Sequence, residues 1–512
     1  MSFFNSQPDE DQCRQFVVDI SNTFSSDDTD APICVFKVPN SLSASKPEAY
    51  IPQIVGLGIL HHSRPQTEAM QTYKLKVAKN IHRGLGSKDF DDLHEGMEEL
   101  VPSIRACYQM YLNDNETLIA FVMAIDGLFL FKLLCCYGVR KDTLTSSNIL
   151  RGLVDPADIR LHQDGIIRDT MMLENQIPIF VLKIILFVEC SESKTKMPPI
   201  VKECLPQLLL GYCKAFSPLK VLEKYPNSAA LKHAHLLDLL YHLIMLKEPP
   251  AAEPEKEEPE EEASKGKRKR VRRSTGLQAL GVIASLAMPQ EVRQPIELVK
   301  GLLELPWSNL DPSSIKNIAP VEEESLIPTA SNLCGVGVKF LSAEHISAIG
   351  FDQATTSLKL PIIKLSVNSE VIIRNLVAYE VMSKPESEPL TFTRYIELMN
   401  GIIKSAEDVA VLKNHRILES DQSIEDDEVV KIFCGSKPGR SANAADLDKA
   451  IADVNNYYNG LWKVKAYKLI KKFGLTLWHI RKLVAAILLL SLLSLQTFCT
   501  VYGCPRIFDK SK

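Results

Sequence analysis

The sequence lacks the short motifs that bind metals and nucleotides in many enzymes. Its 12 cysteines include no CxxC pair, so we interpret them as free buried thiols in a reducing compartment and not as zinc ligands. A P-loop, a GxSxG elbow and an HExxH helix are also missing. These absences predict a protein that is not an enzyme, with no catalytic residue, no metal site and no cofactor.

A strong charge of one sign is missing as well. The net charge is -4, so no overall basic field attracts nucleic acid, and we do not expect nucleic acid as a partner. The first residues have neither the basic start nor the apolar run of a secretory signal. Hydrophobic residues make up 46% of the chain, which is typical of a folded globular protein.

One long apolar run is present near the C-terminus. It begins at Leu483, ends at Val501 and carries no charge. About 20 helical residues cross the ~30 Å hydrocarbon core, so this run predicts one transmembrane helix, with the lipid bilayer as a partner. Residues 463–482 carry seven basic side chains and residues 502–512 carry three. The excess places the N-terminal body in the cytoplasm, at the plasma membrane or an endomembrane.

Periodicity and composition predict an α+β fold, with a predominantly helical two-lobed body, a few short strands in the second lobe and the C-terminal transmembrane helix. Helical spacing recurs in the first lobe, near residues 66–85, 118–137, 177–188 and 231–246. β-branched, alternating residues appear in the second lobe, near 336–341 and 358–367. The predicted segments are a flexible tail (1–32), a helical lobe (33–247), a charged disordered linker (248–275), a mixed lobe (276–447), a juxtamembrane helix (448–482), the transmembrane helix (483–501) and a short tail (502–512).

Several blocks, in a fixed order, resemble a plant family known as domain of unknown function 247. Residues 46–62 read KPEAYIPQIVGLGILHH, and residues 169–185 read DTMMLENQIPIFVLKII. The second block contains the family-motif residues Glu174, Asn175, Gln176 and Pro178. The resemblance covers residues 33–501 and implies a plant membrane protein of unknown molecular function with no known cofactor. Some grass members of the family are associated with pollen self-incompatibility.

The polar residues of the LENQIP block have two interpretations. A buried polar network that determines how the first lobe packs is the favoured one, because a buried polar group must be hydrogen-bonded. The alternative is an undescribed enzyme, which requires a pocket where Asp164, Asp169, Glu174 or Asp238 converge. The five-residue spacing of the first three carboxylates is not helical spacing, which weakens that alternative.

Two histidine pairs are poor candidates for metal ligands. His61 and His62 are adjacent and would point to opposite faces of a strand, so we expect one packed and one exposed side chain. His233 and His235 would share a strand face, but the surrounding pattern is helical. We therefore predict no metal site at either pair.

The linker contains the basic run KRKRVRR directly after an acidic block. Its residues are Lys267, Arg268, Lys269, Arg270, Arg272 and Arg273. We rank a solvated linker first, contact with anionic lipid second and a nuclear-import signal third. The function predicted from the whole sequence is a single-pass membrane-anchored interaction or recognition module with unidentified protein partners. The alternatives are the Glu174 enzyme and a membrane-released nuclear regulator.

Overall fold

A computed structural model describes residues 32–85, 89–138, 163–190, 198–246, 326–433, 442–461, 464 and 487–497. These residues are mostly helical with a few short strands, which confirms the α+β class. One compact unit comprises Met1–Pro249 with Thr329–Val454, and a second comprises Pro250–Pro328 with Asn455–Lys512. The domain boundaries stay a prediction. The charged linker and both predicted tails, apart from residue 32, lie outside the described residues.

The N-terminal half of the described chain is helical. Its amphipathic and apolar runs predicted helices near residues 66–85, 118–137, 177–188 and 231–246, and a helix is present at each of these places. The helices are α1 (Asn40–Ser43), α2 (Ala69–Leu85), α3 (Phe90–Glu98), α4 (Val101–Ala106), α5 (Glu116–Tyr137), α6 (Gln163–Thr170), α7 (Ile179–Cys190), α8 (Leu205–Phe216), α9 (Asn227–Ala230) and α10 (Leu236–Met245).

The C-terminal half mixes helices with two small sheets. Strand β1 pairs parallel with β3, which pairs antiparallel with β2, while β4 and β5 form a separate parallel pair. The elements are α11 (Ala330–Gly335), β1 (Lys339–Ala343), β2 (Gly350–Asp352), β3 (Ser357–Pro361), β4 (Ile363–Leu365), α12 (Ser369–Ser383), α13 (Thr391–Ile402), α14 (Ala406–Asn414), β5 (Leu418–Ser420), α15 (Asp426–Phe433), α16 (Ala445–Gly460) and α17 (Ile487–Thr497).

Helix α5 is the centre of the first unit. Asn115 caps it by accepting a hydrogen bond from the Thr117 backbone N–H at 2.9 Å. Helices α2, α3, α7 and α8 pack around it. Close packing with α7 requires Gly127, because a Cβ there would lie 2.2 Å from Ile185 Cδ1. The apolar composition of α5 is therefore explained by burial on nearly every side.

Buried carboxylates hold the helices of the C-terminal half together. Glu380 on α12 accepts hydrogen bonds from the backbone N–H groups of Phe392 and Thr393, at 3.0 and 2.7 Å, and so caps α13. Glu380 also accepts from the Tyr241 hydroxyl of α10 at 2.7 Å. Asp408 on α14 forms a capping box with Ser405. Residues from both predicted lobes thus share hydrogen bonds within one unit.

One described helix, α5, is long and apolar enough to cross a membrane, and 78% of its most apolar 18-residue segment is buried in the protein. The sharply bent pair Asp164–Thr170 and Leu173–Cys190 passes the same test if it is taken as one span. Helix α17 is shorter than a span requires. The described residues therefore do not support the predicted transmembrane helix, whose end residues, Leu483 and Val501, lie outside them.

Candidate functional site

Buried polar side chains converge on the loop of residues 53–58. Asp169 Oδ2 accepts hydrogen bonds from three consecutive backbone N–H groups at the start of this loop, at 2.6 to 3.0 Å. The Arg168 guanidinium donates to the other oxygen, Oδ1, at 2.9 and 3.0 Å. The fully buried carboxylate is therefore balanced by a cation while it orders the loop backbone.

Asn175 continues the same pattern from the turn Leu173–Asn175. Its Oδ1 accepts from the Leu57 N–H at 2.7 Å, and its Nδ2 donates to the carbonyls of Val55 and Asp169, both at 2.9 Å. The side chain is 0% exposed. The amide thus bonds to both the N–H and the C=O groups of the loop, which only an asparagine-like side chain can do.

A buried ion pair also forms hydrogen bonds with the backbone of this loop. Lys74 Nζ lies 2.5 Å from Asp126 Oδ1 and donates to the Gly56 carbonyl at 2.7 Å, while Asp126 Oδ2 accepts from the Gly58 N–H at 3.0 Å. Burial raises the pKa of Asp126, and the Lys74 ammonium opposes that shift. Gly58 has a φ of 68°, and a Cβ there would lie 2.8 Å from the Tyr108 hydroxyl. Only glycine fits this position without strain.

Gln176 connects the same block to α10. Its Nε2 donates to the carbonyls of Thr170 and Met172 at 2.8 and 2.7 Å, and its Oε1 accepts from the Leu237 N–H at 3.2 Å. Pro178 immediately precedes α7, where its missing N–H removes no helical hydrogen bond. Both residues therefore have local structural roles that their chemistry explains.

One oxygen of the Glu174 carboxylate accepts a hydrogen bond from the backbone, and the other lies beside a histidine side chain. Its Oε1 accepts from the Val38 N–H at 2.8 Å, and its Oε2 lies 3.2 Å from His61 Nε2 without the alignment of a hydrogen bond. His61 is buried and His62 is half-buried. These contacts are those expected of a packing network. The role of the motif in the function stays a prediction.

The carboxylates considered for an enzyme have separate partners. Asp164 is exposed at the start of α6, whereas Asp169 and Glu174 are buried against different backbone segments. Asp238 is bound by histidines on and just before α10. Within the described part of the chain, no hydrogen bond joins any two of these four side chains.

A cluster on α10 and the turn before it joins Asp238, which the sequence analysis considered for an enzyme, to His233, which it discounted as a metal ligand, and to His242, which it did not consider. We call His233, Asp238 and His242 the His–Asp cluster. Asp238 Oδ2 lies 3.3 Å from His233 Nδ1, and Oδ1 lies 2.7 Å from His242 Nδ1. The Tyr379 hydroxyl donates to Oδ1 at 2.8 Å, and the Ala234 N–H donates to Oδ2 at 2.7 Å. One ligand atom from each cluster residue lies within 4.8 Å of the others, so the set could hold a metal ion.

Hydrogen bonds within this cluster shift the pKa values of Asp238 and His242 in the directions that favour their charged forms. Burial would raise the pKa of Asp238, but hydrogen bonds with His233 and His242 outweigh it and hold that pKa well below its usual range. Burial would lower the pKa of His242, but its hydrogen bonds to Asp238 raise it. His235 differs, because its Nδ1 accepts from the Asp238 N–H and its Nε2 donates to the Cys34 carbonyl. Burial lowers its pKa, so His235 is a neutral helix cap.

Comparison with known proteins assigns the chain to a family. The model of the DUF247 family, described as a plant protein of unknown function, matches residues 35–492. A UPF0481 protein of Arabidopsis thaliana, At3g02645, is 34% identical over 502 residues, covering 92% of this chain and 90% of that protein. Another, At3g47200, is 23% identical over 443 residues, covering 84% of this chain and 79% of that protein. The chain belongs to the DUF247 family. No solved structure matches it.

Membership in DUF247 confirms the resemblance that the ordered sequence blocks indicated. The family is described as a plant protein family of unknown function, so membership assigns no activity to this chain. Among the predicted residues, the LENQIP block is described in full. The basic linker lies outside the described residues: Lys267, Arg268, Lys269, Arg270, Arg272 and Arg273.

Part of the His–Asp cluster of this DUF247 protein was visible in the sequence. Asp238 and His242 are separated by four residues within a helical pattern, which places them on one helix face. His233 precedes the helix, and no periodicity relates it to either of them. Its approach to Asp238 depends on the turn before α10, which the tertiary structure determines.

Proposed function

We propose that this DUF247 protein is a single-pass membrane-anchored module that binds other proteins and is not itself an enzyme. The observation that carries the proposal is the exposure of α17. Seven of its large apolar residues are 49% to 66% exposed, the most exposed being Leu492 at 66%. An exposed apolar surface of this kind requires a cover of lipid or protein.

The polar groups of α17 favour lipid as that cover. Ser491 and Ser494 donate to the carbonyls of Leu488 and Ser491 at 2.8 Å, and Thr497 donates to the carbonyls of Leu493 and Ser494 at 3.0 and 2.8 Å. Hydroxyls that bond to their own helix leave no unsatisfied donor facing hydrocarbon. Seven leucine or isoleucine side chains contribute roughly 3 kcal/mol to insertion.

The charge on either side of the apolar run supports an orientation. Seven basic residues at 463–482 and three at 502–512 favour a cytoplasmic body, at the plasma membrane or an endomembrane. The basic run of the predicted linker at 248–275 would be a candidate for contact with anionic lipid. A membrane anchor argues against a nuclear regulator.

The choice of a binding module over an enzyme follows from how the motif is used. Glu174 Oε1, Asn175 and Gln176 bond to backbone groups inside the protein, which supports a packing role for the motif. An enzyme that used Glu174 as its acid or base would require that carboxylate to reach a substrate. No described contact of Glu174 favours that alternative.

Membrane anchoring is tested by fractionating the full chain from plant cells with an alkaline carbonate wash. We expect the wild type in the membrane pellet. Leu490→Arg with Leu492→Arg should move to the soluble fraction, because each central arginine costs about 2.5–3.5 kcal/mol on the insertion scale. Val367→Arg with Leu341→Arg is the matched control, since it adds the same two charges at apolar residues of the body that are 53% and 44% exposed. A wild-type protein that stays soluble would refute the anchor.

The binding role is tested separately by proximity labelling from the intact chain. The control is the labelling enzyme on residues 448–512 alone, which shares the predicted anchor and lacks the body. We expect a set of proteins labelled only when the body is present, and cross-linking of at least one of them directly to the body. Identical labelling by both fusions would contradict a binding module.

A further inference from the structure

We propose that the His–Asp cluster of His233, Asp238 and His242 is a binding site for a divalent metal ion of the zinc class. Two imidazole nitrogens and one carboxylate oxygen are ligands that zinc prefers, and three protein ligands leave a fourth position for water or a small anion. The proposal is independent of the membrane anchor and of protein partners.

One ligand atom from each of the three residues lies within 4.8 Å of the other two. In a tetrahedral site with bonds of 2.0–2.1 Å, two ligand atoms lie about 3.3 Å apart. His233 Nδ1 and Asp238 Oδ2 are 3.3 Å apart, and His242 Nδ1 and Asp238 Oδ1 are 2.7 Å apart. The two imidazole rings are neighbours, with centroids 4.8 Å apart. The two distances to Asp238 involve different carboxylate oxygens, and His242 Nδ1 also lies 2.9 Å from the Asp238 carbonyl. The histidine side chains would therefore have to rotate, and His242 would have to give up this contact, for an ion to bind among the three groups.

The residues around the cluster hold its ligands as in known metal centres. A metal-binding histidine usually donates its second N–H to an oxygen, which orients the ring. His233 Nε2 lies 2.7 Å from the Tyr225 hydroxyl, so its Nδ1 can face the ion. Asp238 is positioned by the Tyr379 hydroxyl and by the Ala234 N–H. These three contacts fix the carboxylate and one imidazole before an ion arrives.

Burial and access are both suited to a bound ion. The side chains of His233 and Asp238 are 12% and 8% exposed, whereas His242 is 43% exposed. The ion would enter from the side of His242, and the fourth ligand would come from the same side. Binding would connect the turn before α10 to the helix itself and, through Tyr379, to α12.

The test uses the full chain, purified in detergent and stripped of metal with a chelator. Titration with Zn²⁺ is followed by calorimetry, and titration with Co²⁺ by the visible absorption of the bound ion. We expect one tight site in the wild type and a loss of affinity of more than about 100-fold in His242→Gln and in His233→Gln, because each removes a direct ligand. His94→Gln is the matched control, since His94 is 13% exposed and lies 3.8 Å from the Glu98 carboxylate.

A variant that keeps all three proposed ligands, but removes a contact that orients His233, distinguishes loss of the metal site from loss of the fold. Tyr225→Phe keeps the ring and removes the hydroxyl beside His233, so we expect about a 10- to 100-fold loss of Zn²⁺ affinity. Zn²⁺ should raise the thermal midpoint of the wild type and of His94→Gln, and leave that of His242→Gln unchanged. A wild type that binds no Zn²⁺, or equal Zn²⁺ affinities in the wild type, Tyr225→Phe and His242→Gln, would overturn the proposal.

Discussion

Asn175→Asp replaces one nitrogen by oxygen and tests what the LENQIP block does. The Nδ2 group donates to the carbonyls of Val55 and Asp169 at 2.9 Å, whereas Oδ1 accepts from the Leu57 N–H at 2.7 Å. An aspartate keeps the acceptor, loses both donors and places a buried negative charge beside two carbonyl oxygens. Two lost hydrogen bonds contribute about 1–3 kcal/mol, and the unpaired charge adds to that destabilisation.

We therefore expect Asn175→Asp to lower the free energy of unfolding by roughly 3 kcal/mol or more. The measurement is thermal unfolding of the full chain in detergent, followed by far-ultraviolet circular dichroism, with a fall of several degrees. Asn113→Asp makes the same change at an exposed position and should stay within about 0.5 kcal/mol of the wild type.

The pH dependence of Asn175→Asp provides a second readout. Burial without a cation raises the pKa of the new carboxyl above its unfolded value of about 3.9. The variant is then most stable below that pH and loses stability as the pH rises through the pKa that the new carboxyl has in the folded protein. The difference in stability between variant and wild type should therefore become smaller in acid. A variant as stable as Asn113→Asp would refute the packing role. One that is stable but loses its partners would make the motif a functional site.

Four further substitutions test other parts of the fold. Glu380→Ala should destabilise the protein by about 3 kcal/mol or more in urea unfolding, because several buried donors lose their acceptor, and Tyr241→Phe, which removes one of those donors, should cost about 1.5–3 kcal/mol. Gly58→Ala should lower the thermal midpoint, because a residue with a Cβ at this positive φ and extended ψ costs about 1–3 kcal/mol and its Cβ would lie 2.8 Å from the Tyr108 hydroxyl. Hydrogen bonds outweigh burial and depress the pKa of Asp408, so its stabilisation is present above about pH 3.9 and lost as the pH falls below. Asp408→Asn should remove that part of the acid sensitivity, and an unchanged acid profile would contradict the assignment.

Local spacing was enough to predict several of the longer helices of this DUF247 protein. The apolar run at 118–137 predicted a core helix, and α5 occupies Glu116–Tyr137 with its most apolar segment mostly buried. Alternating and β-branched residues predicted strands near 336–341 and 358–367, where β1, β3 and β4 lie. Helical and strand periods depend on neighbours a few residues apart, so a single sequence carries them.

The sequence by itself determined several helices and strands, the family and the presence of a buried polar block at 174–176. Only the tertiary structure decided what those polar groups bind. The backbone N–H groups of the loop at 53–58 donate to Asp126, Asp169 and Asn175, which lie far along the chain. His233 approaches Asp238 through a turn that no sequence period describes. Hydrogen bonds between distant segments depend on how helices pack, and packing is a property of the whole fold.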